Sequence, residues 1–218
     1  MPLQIERIQA ICFDVDGTLR NTDDHYVSRV QRILAPLPFL GSPEEKALRA
    51  RALVMRFEDP VNGVLHVADR LNLDAALHKF FDVTGKVFGS DQPEDFHLIP
   101  GIYETIVHLA QRFPLAIVTT RRESSTMEFL EATQLATHFI ALATALTTKH
   151  GKPSPDPVLW AANKMGVAPQ ACLMVGDTVV DIQAGKAAGA QTLGVLSGFG
   201  DEKELAESGA DQLLSTVT

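Results

Sequence analysis

FDVDGT, residues 13–18, sets two carboxylates one residue apart at the end of an apolar run. Ile11, Cys12, Phe13 and Val15 suit a buried strand, whereas Asp14 and Asp16 interrupt that pattern. Burying two acids side by side is costly unless a cation or a strong hydrogen-bond network compensates. Side chains two apart on a strand point the same way, so both acids can serve one ligand. A plain turn after a strand is the competing reading, because Asp-Gly is a common turn signal.

Four further runs share the same form, short and apolar with polar residues at the C-terminal end. With the first, they are 8–15 (IQAICFDV), 114–120 (PLAIVTT), 138–144 (HFIALAT), 171–177 (ACLMVGD) and 190–196 (AQTLGVL). Continuous rather than alternating apolarity predicts strands covered on both faces, as in parallel sheets. Helical patterns fall between them. Residues 101–113 place Ile102, Ile106, Leu109 and Phe113 on one face, and 156–166 predict Asp156 as N-cap, Pro157 at the first helical position and an end at Gly166. Residues 179–189 form a small-residue helix able to lie close against the sheet. Strand–helix alternation of this kind predicts an α/β fold, a doubly wound and mostly parallel sheet.

Residues 20–98 break the rhythm. Helical patterns run from Thr22 to Leu34, from Ser42-Pro43-Glu44-Glu45 toward Phe57, through Val67 to Leu71, and from Asp74 to Val87. The expected organisation is a core of residues 1–19 and 99–218 with an all-helical insertion over 20–98. Met55, Phe57, Phe80, Phe81 and Phe88 read as the insertion's own core, while Arg20, Asn21 and Thr22 fall at its hinge, within reach of Asp14.

The chain has 218 residues, 45% of them hydrophobic, enough for a sizeable core. A net charge of −8 argues against a nucleic-acid partner or an anionic membrane surface. Cys12 and Cys172 lie in strand-like runs with no zinc spacing, so reduced core residues are expected. The seven histidines show no HxH or HExxH spacing and read as structural or surface groups. No signal-like segment opens the sequence and no apolar stretch reaches spanning length, so a cytoplasmic location is expected.

In a parallel sheet the C-terminal strand ends share one edge, where ligands bind. Those ends here bring Asp14 and Asp16, Thr119 and Thr120, then Asp177 followed by Asp181, with Lys152 from GKPSPDP between the third and fourth strands. Carboxylates with open space suit Mg²⁺, which keeps several waters and takes one or two protein acids alongside substrate phosphate.

FDVDGTL, IVTT, GKPSPDP and VGDTVVD, in this order and each at an expected strand end, resemble the four motifs of the haloacid dehalogenase superfamily. The similarity covers nearly the whole chain and points to the phosphatases with a helical cap after the first strand; the C-terminal half is most similar to phosphoglycolate phosphatases. The resemblance implies that Asp14 is a nucleophile forming an aspartyl-phosphate, and that Asp16 protonates the leaving alcohol and then deprotonates the attacking water. It further implies that Thr119 bonds the transferring phosphoryl group and that Lys152 balances its charge. Asp14, Asp177 and the main-chain carbonyl of Asp16 would bind Mg²⁺, with Asp181 orienting a metal-bound water. Gly17 would permit the tight turn, and Thr18 would orient Asp16. Thr120 and Arg121 are candidate substrate contacts, although paired arginines at a helix start are often solvated.

The implied activity is hydrolysis of a small phosphorylated metabolite by a monomer or homodimer, with the cap closing over the site. A sugar-phosphate mutase similar to β-phosphoglucomutase is the nearest rival, weakened by the lack of a clear cap histidine–lysine pair. Haloalkanoate dehalogenation needs neither an acid at position 16 nor a metal. A catalytically silent or phospho-accepting module is the rival from another class, and receiver domains of that kind are shorter and lack an insertion.

Overall fold

Six strands form a single parallel sheet in the order β3-β2-β1-β4-β5-β6 in the computed structural model, which describes residues 3–21 and 96–218. The strands are β1 (Ala10–Phe13), β2 (Leu115–Val118), β3 (Ala141–Ala143), β4 (Cys172–Gly176), β5 (Gln191–Val195) and β6 (Gln212–Leu214). The five expected strands all form, each shorter than its apolar run. The chain also divides by contacts into a unit of residues 1–21 and 96–218 and a second unit of residues 22–95. The helical insertion and its aromatic core fall almost wholly on residues outside those described. No helix among the described residues is long and apolar enough to cross a membrane.

Strand β1 lies centrally, paired with β2 on one side and β4 on the other. The chain first builds outward through β2 to β3, then crosses back to build β4, β5 and β6 on the opposite side. The order therefore reverses beside β1, and the crevice at such a switch point opens at the C-terminal strand ends. Asp14 and Asp16 follow β1 directly into it.

Alternation along β1 sorts the core into two halves. Ile11 and Phe13 join Ile102, Ile106, Phe129 and Leu130 on the face covered by α1 (Ile102–Ala110) and α2 (Glu123–Ala132). Ala10 and Cys12 join Ala116, Val118, Ala161, Met174 and Ala184 on the face of α3 (Asp156–Met165) and α4 (Val179–Ala188). The second half is rich in small side chains, so its helices approach closely. A methyl group at Gly185 of α4 would lie 2.6 Å from Thr192 and 2.9 Å from Met174. This is the close approach expected of a small-residue helix. Cys12 and Cys172 are buried and free.

Two features depart from the sequence reading. In α3, Pro155 occupies the N-cap and Asp156 is the first helical residue, while the helix ends as expected with Gly166 left-handed at φ 71°. Asp156 is turned to His150 instead, with Nδ1 2.9 Å from its carboxylate, so local pairing displaced the cap. The short helix α5 (Glu202–Glu207) and the edge strand β6 follow the last expected strand and were not anticipated.

Candidate active site

The turn leaving β1 is tight. Backbone amides of Leu19 and Arg20 both donate to the Val15 carbonyl at 2.9 Å, and the Gly17 amide donates to the Arg20 carbonyl at 2.9 Å. Gly17 has φ 78°, a left-handed conformation, and a Cβ there would collide with the Asp177 carboxylate. Glycine is required on both counts.

Around Asp14 the strand ends build a buried charge network. The Lys152 ammonium donates to Asp14 Oδ1 at 2.7 Å, to Asp181 Oδ1 at 2.6 Å and to the Val118 carbonyl at 3.0 Å, so all its protons are used. Lys152, Asp14 and Asp181 side chains are 3%, 10% and 0% exposed. Asp177 is fully buried; its Oδ1 accepts from the Thr18 hydroxyl at 3.0 Å and its Oδ2 from the Phe199 amide at 2.9 Å. Asp14, Asp177 and Asp181 each offer an oxygen within 4.8 Å of the others'.

Burial pushes the Asp14 carboxyl up to about 7, with Lys152 opposing that rise and Asp181 adding to it. Burial, then repulsion from Asp181 and Asp14, likewise push Asp177 well above the usual carboxylate range. For Lys152, burial favours the neutral amine, but the facing carboxylates of Asp14 and Asp181 outweigh it and hold the ammonium above its ordinary value. Three carboxylates and one ammonium leave two formal negative charges, the charge one divalent cation would neutralise. Asp14 Oδ2 accepts no hydrogen bond from any described residue, which leaves it available to a ligand. The donor set is all oxygen and suits a hard cation such as Mg²⁺.

Asp16 sits in a different environment. Its side chain is 29% exposed, and the Arg121 guanidinium donates to both of its oxygens, at 2.9 and 3.2 Å. Arg20, fully buried beneath it, reaches the same carboxylate at 3.5 Å and lies over the Phe96 ring at 5.3 Å. Thr119 is buried at the end of β2, and its hydroxyl accepts from the Arg121 amide at 3.2 Å, leaving its proton to be donated elsewhere. Thr120 is exposed.

Several expectations change on this geometry. Thr18 bonds Asp177 rather than Asp16, because the turn carries its hydroxyl inward toward β4. Asp181 is bound on both oxygens: Oδ1 receives Lys152, and Oδ2 caps α4 by accepting from the Thr178 amide at 3.0 Å and hydroxyl at 2.6 Å. It therefore anchors the lysine to a helix end. Arg121 is not a solvated residue; it is paired with Asp16. The loop after β5 was overlooked, although Ser197 donates to the Gly17 carbonyl at 2.9 Å and Phe199 fixes Asp177. Its sequence SGFG, at the end of an expected strand, was the available signal.

Comparison with known proteins establishes the family. The chain is 30% identical over 218 aligned residues to the phosphoglycolate phosphatase of Escherichia coli K12, covering 90% of this chain and 84% of that one. Against the phosphoglycolate phosphatase of Salmonella typhi it is 27% identical, covering 95% and 89%. The crystal structure of a family hydrolase from Deinococcus radiodurans, holding phosphate and sodium, superposes with a TM-score of 0.70 at 24% identity over 97% of this chain and 92% of that one. A hydrolase from Pseudomonas syringae gives a TM-score of 0.70 at 24% identity, covering 96% and 94%. At these identities the two structures speak for the fold. The profile of the haloacid dehalogenase-like hydrolases matches residues 11–195, from β1 through β5, and the chain is an enzyme belonging to that family.

Proposed function

We propose that the enzyme hydrolyses small phosphomonoesters with Mg²⁺, through a phosphoryl group carried transiently on Asp14. The observation that carries this reading is the buried Asp14 carboxylate, gripped by Lys152 on one oxygen and open on the other, within a cluster of acids that includes Asp177. The relatives' activity supports the phosphatase class, and their name makes a phosphorylated small carboxylic acid the first substrate to test.

In this mechanism a carboxylate oxygen of Asp14 bonds to phosphorus as the ester P–O bond breaks. The departing oxygen takes a proton from Asp16 and leaves as the alcohol. Asp16, now ionised, draws a proton from water, whose oxygen attacks phosphorus; the bond to Asp14 breaks and inorganic phosphate departs. Thr119 donates its free hydroxyl proton to a phosphoryl oxygen, and Lys152 offsets the charge that gathers around Asp14. Asp14, Asp177 and the main-chain carbonyl of Asp16 would hold Mg²⁺, with Asp181 and Thr18 fixing the lysine and Asp177 behind them. The ion would supply charge neutralisation for acids that burial otherwise keeps protonated. Phosphoryl transfer asks mainly for positioning and charge compensation, both of which this set provides. Choice among substrates is assigned to the inserted segment, residues 20–98, and to Thr120.

The test is hydrolysis of 4-nitrophenyl phosphate with Mg²⁺, followed by a panel of phosphorylated metabolites. Activity lost both with chelator and in Asp14→Asn is expected, together with a phosphorylated wild-type peptide containing Asp14 after rapid acid quenching. Turnover that survives either change removes the mechanism. Isomerised sugar phosphate appearing in place of free phosphate would instead identify a mutase.

A further inference from the structure

The ion pair in which Arg121 Nη1 meets both oxygens of Asp16 joins two loops 105 residues apart in sequence, and its arginine is held firmly at the backbone. The Arg121 amide donates to Thr119 Oγ1 at 3.2 Å, and its carbonyl accepts from the Ala145 amide at 2.8 Å. The guanidinium thus projects from a backbone fixed to the ends of both β2 and β3, with its side chain only 10% exposed. One guanidinium nitrogen, Nη1, meets both carboxylate oxygens, and Arg20 Nη1 reaches Oδ1 as well, so the group is held in orientation as well as in place. Arg20 approaches the same carboxylate from beneath, itself stacked on Phe96.

We propose that Arg121 is the positioning residue for Asp16: it acts on the leaving-group proton transfer through that carboxylate, with Arg20 as the second point of contact, rather than by gripping substrate. The inference rests on the phosphatase reading above, since proton transfer to the leaving oxygen is what the positioning serves. A carboxyl that must meet the ester oxygen within hydrogen-bond reach loses effectiveness once it can rotate away. Because Thr119 shares the Arg121 amide, the same short segment sets both the acid and a phosphoryl-binding hydroxyl.

Leaving-group dependence tests this. Phenyl phosphate needs a proton delivered to its departing oxygen, whereas 2,4-dinitrophenyl phosphate departs without one. Arg121→Ala should lower kcat/KM for phenyl phosphate by about 10- to 100-fold and for the dinitrophenyl ester by less than about threefold. In the Asp16→Asn background Arg121→Ala should have no further effect on either ester, and Arg121→Lys should recover only part of the loss. Equal losses on both esters, or losses that multiply with Asp16→Asn, would show an arginine acting on substrate directly and overturn the proposal. If Arg121→Ala does not fold, Arg121→Gln takes its place, and its crystal structure must show the Asp16 carboxylate displaced or in several orientations; an unmoved carboxylate overturns the positioning. Wild-type protein inactive on both esters with Mg²⁺ would remove the phosphatase reading itself, and the Arg121→Gln structure then decides the positioning alone.

Discussion

Asp14 and Asp16 are one residue apart, yet they sit in opposite kinds of environment. Around Asp14, two buried acids share a single ammonium and a third, Asp177, has no cationic partner among the described residues. Around Asp16, one partly exposed acid is met by two guanidinium groups. The inner side seeks a further cation, and the outer side is already rich in them. Depth accounts for the difference: a dry carboxylate resists ionising until something positive arrives, whereas one at the rim is held by long cationic side chains that can reach it. A phosphomonoester and its divalent ion together match that division. The fold creates it within one tight turn, at the left-handed Gly17 one step past Asp16.

The largest test of the contrast is Asp14→Asn. Activity on 4-nitrophenyl phosphate should fall by at least about 10³-fold, because the amide cannot attack phosphorus. The melting temperature of the metal-free protein should nevertheless hold or rise at about pH 8, since a carboxyl that burial keeps near 7 is replaced by a neutral group of the same shape. A substantially lower melting temperature in chelator would mean that the inner acids are not strained by their charge.

Lys152→Ala should come next, costing about 3–5 kcal/mol in denaturant unfolding at neutral pH, because it leaves Asp14 and Asp181 facing each other without their shared cation. A cost below about 1 kcal/mol would place the inner cluster in the same class as a surface pair.

Smaller in size, but sharper in sign, is the pH response. An unfolded Asp14 ionises near the ordinary carboxylate value of 3.8, whereas the folded, metal-free one keeps its proton to about 7. The folded state therefore holds more protons across that window, and this group's contribution makes metal-free stability fall as pH rises through it. Asp177, also raised, acts in the same direction. Mg²⁺ competes with those protons, so the thermal shift it produces should grow over the same range. A shift that stays flat from about pH 5 to about pH 8 contradicts the picture of an inner cluster short of cations.

The smallest effect is expected at a pair outside both clusters. Lys186 donates to Asp211 at 2.7 Å with its own side chain 39% exposed. Lys186→Ala should cost no more than about 1 kcal/mol, read by the same unfolding experiment as Lys152→Ala. A comparable loss at both lysines would erase the distinction between buried and exposed cations.

Much of this was legible in the residues because burial leaves a local trace. Strands covered on both faces read as continuous apolar runs, and each of the five expected strands is found. β6 left no such trace: it is a three-residue edge strand whose residues stay partly or fully exposed, so QLL reads like many loops. Helix ends marked by Gly166 and Gly189 were similarly readable, because a left-handed residue at a helix end favours glycine. The Asp156 cap was misread because the competing partner, His150, lies on the far side of a proline-rich loop whose path no periodicity reports.

Alone, the amino-acid sequence indicated which residues gather at one sheet edge, since Asp14, Asp16, Thr119 and Asp177 close apolar runs that read as parallel strands and Lys152 lies in the loop between two of them. Tertiary structure alone decided how they pair: Thr18 to Asp177, Asp181 to Lys152, Arg121 to Asp16. The physical reason is range. Strand and helix propensity are written within a dozen neighbouring residues, whereas a hydrogen bond across 29, 105 or 159 positions depends on side-chain directions that exist only once the layers have packed.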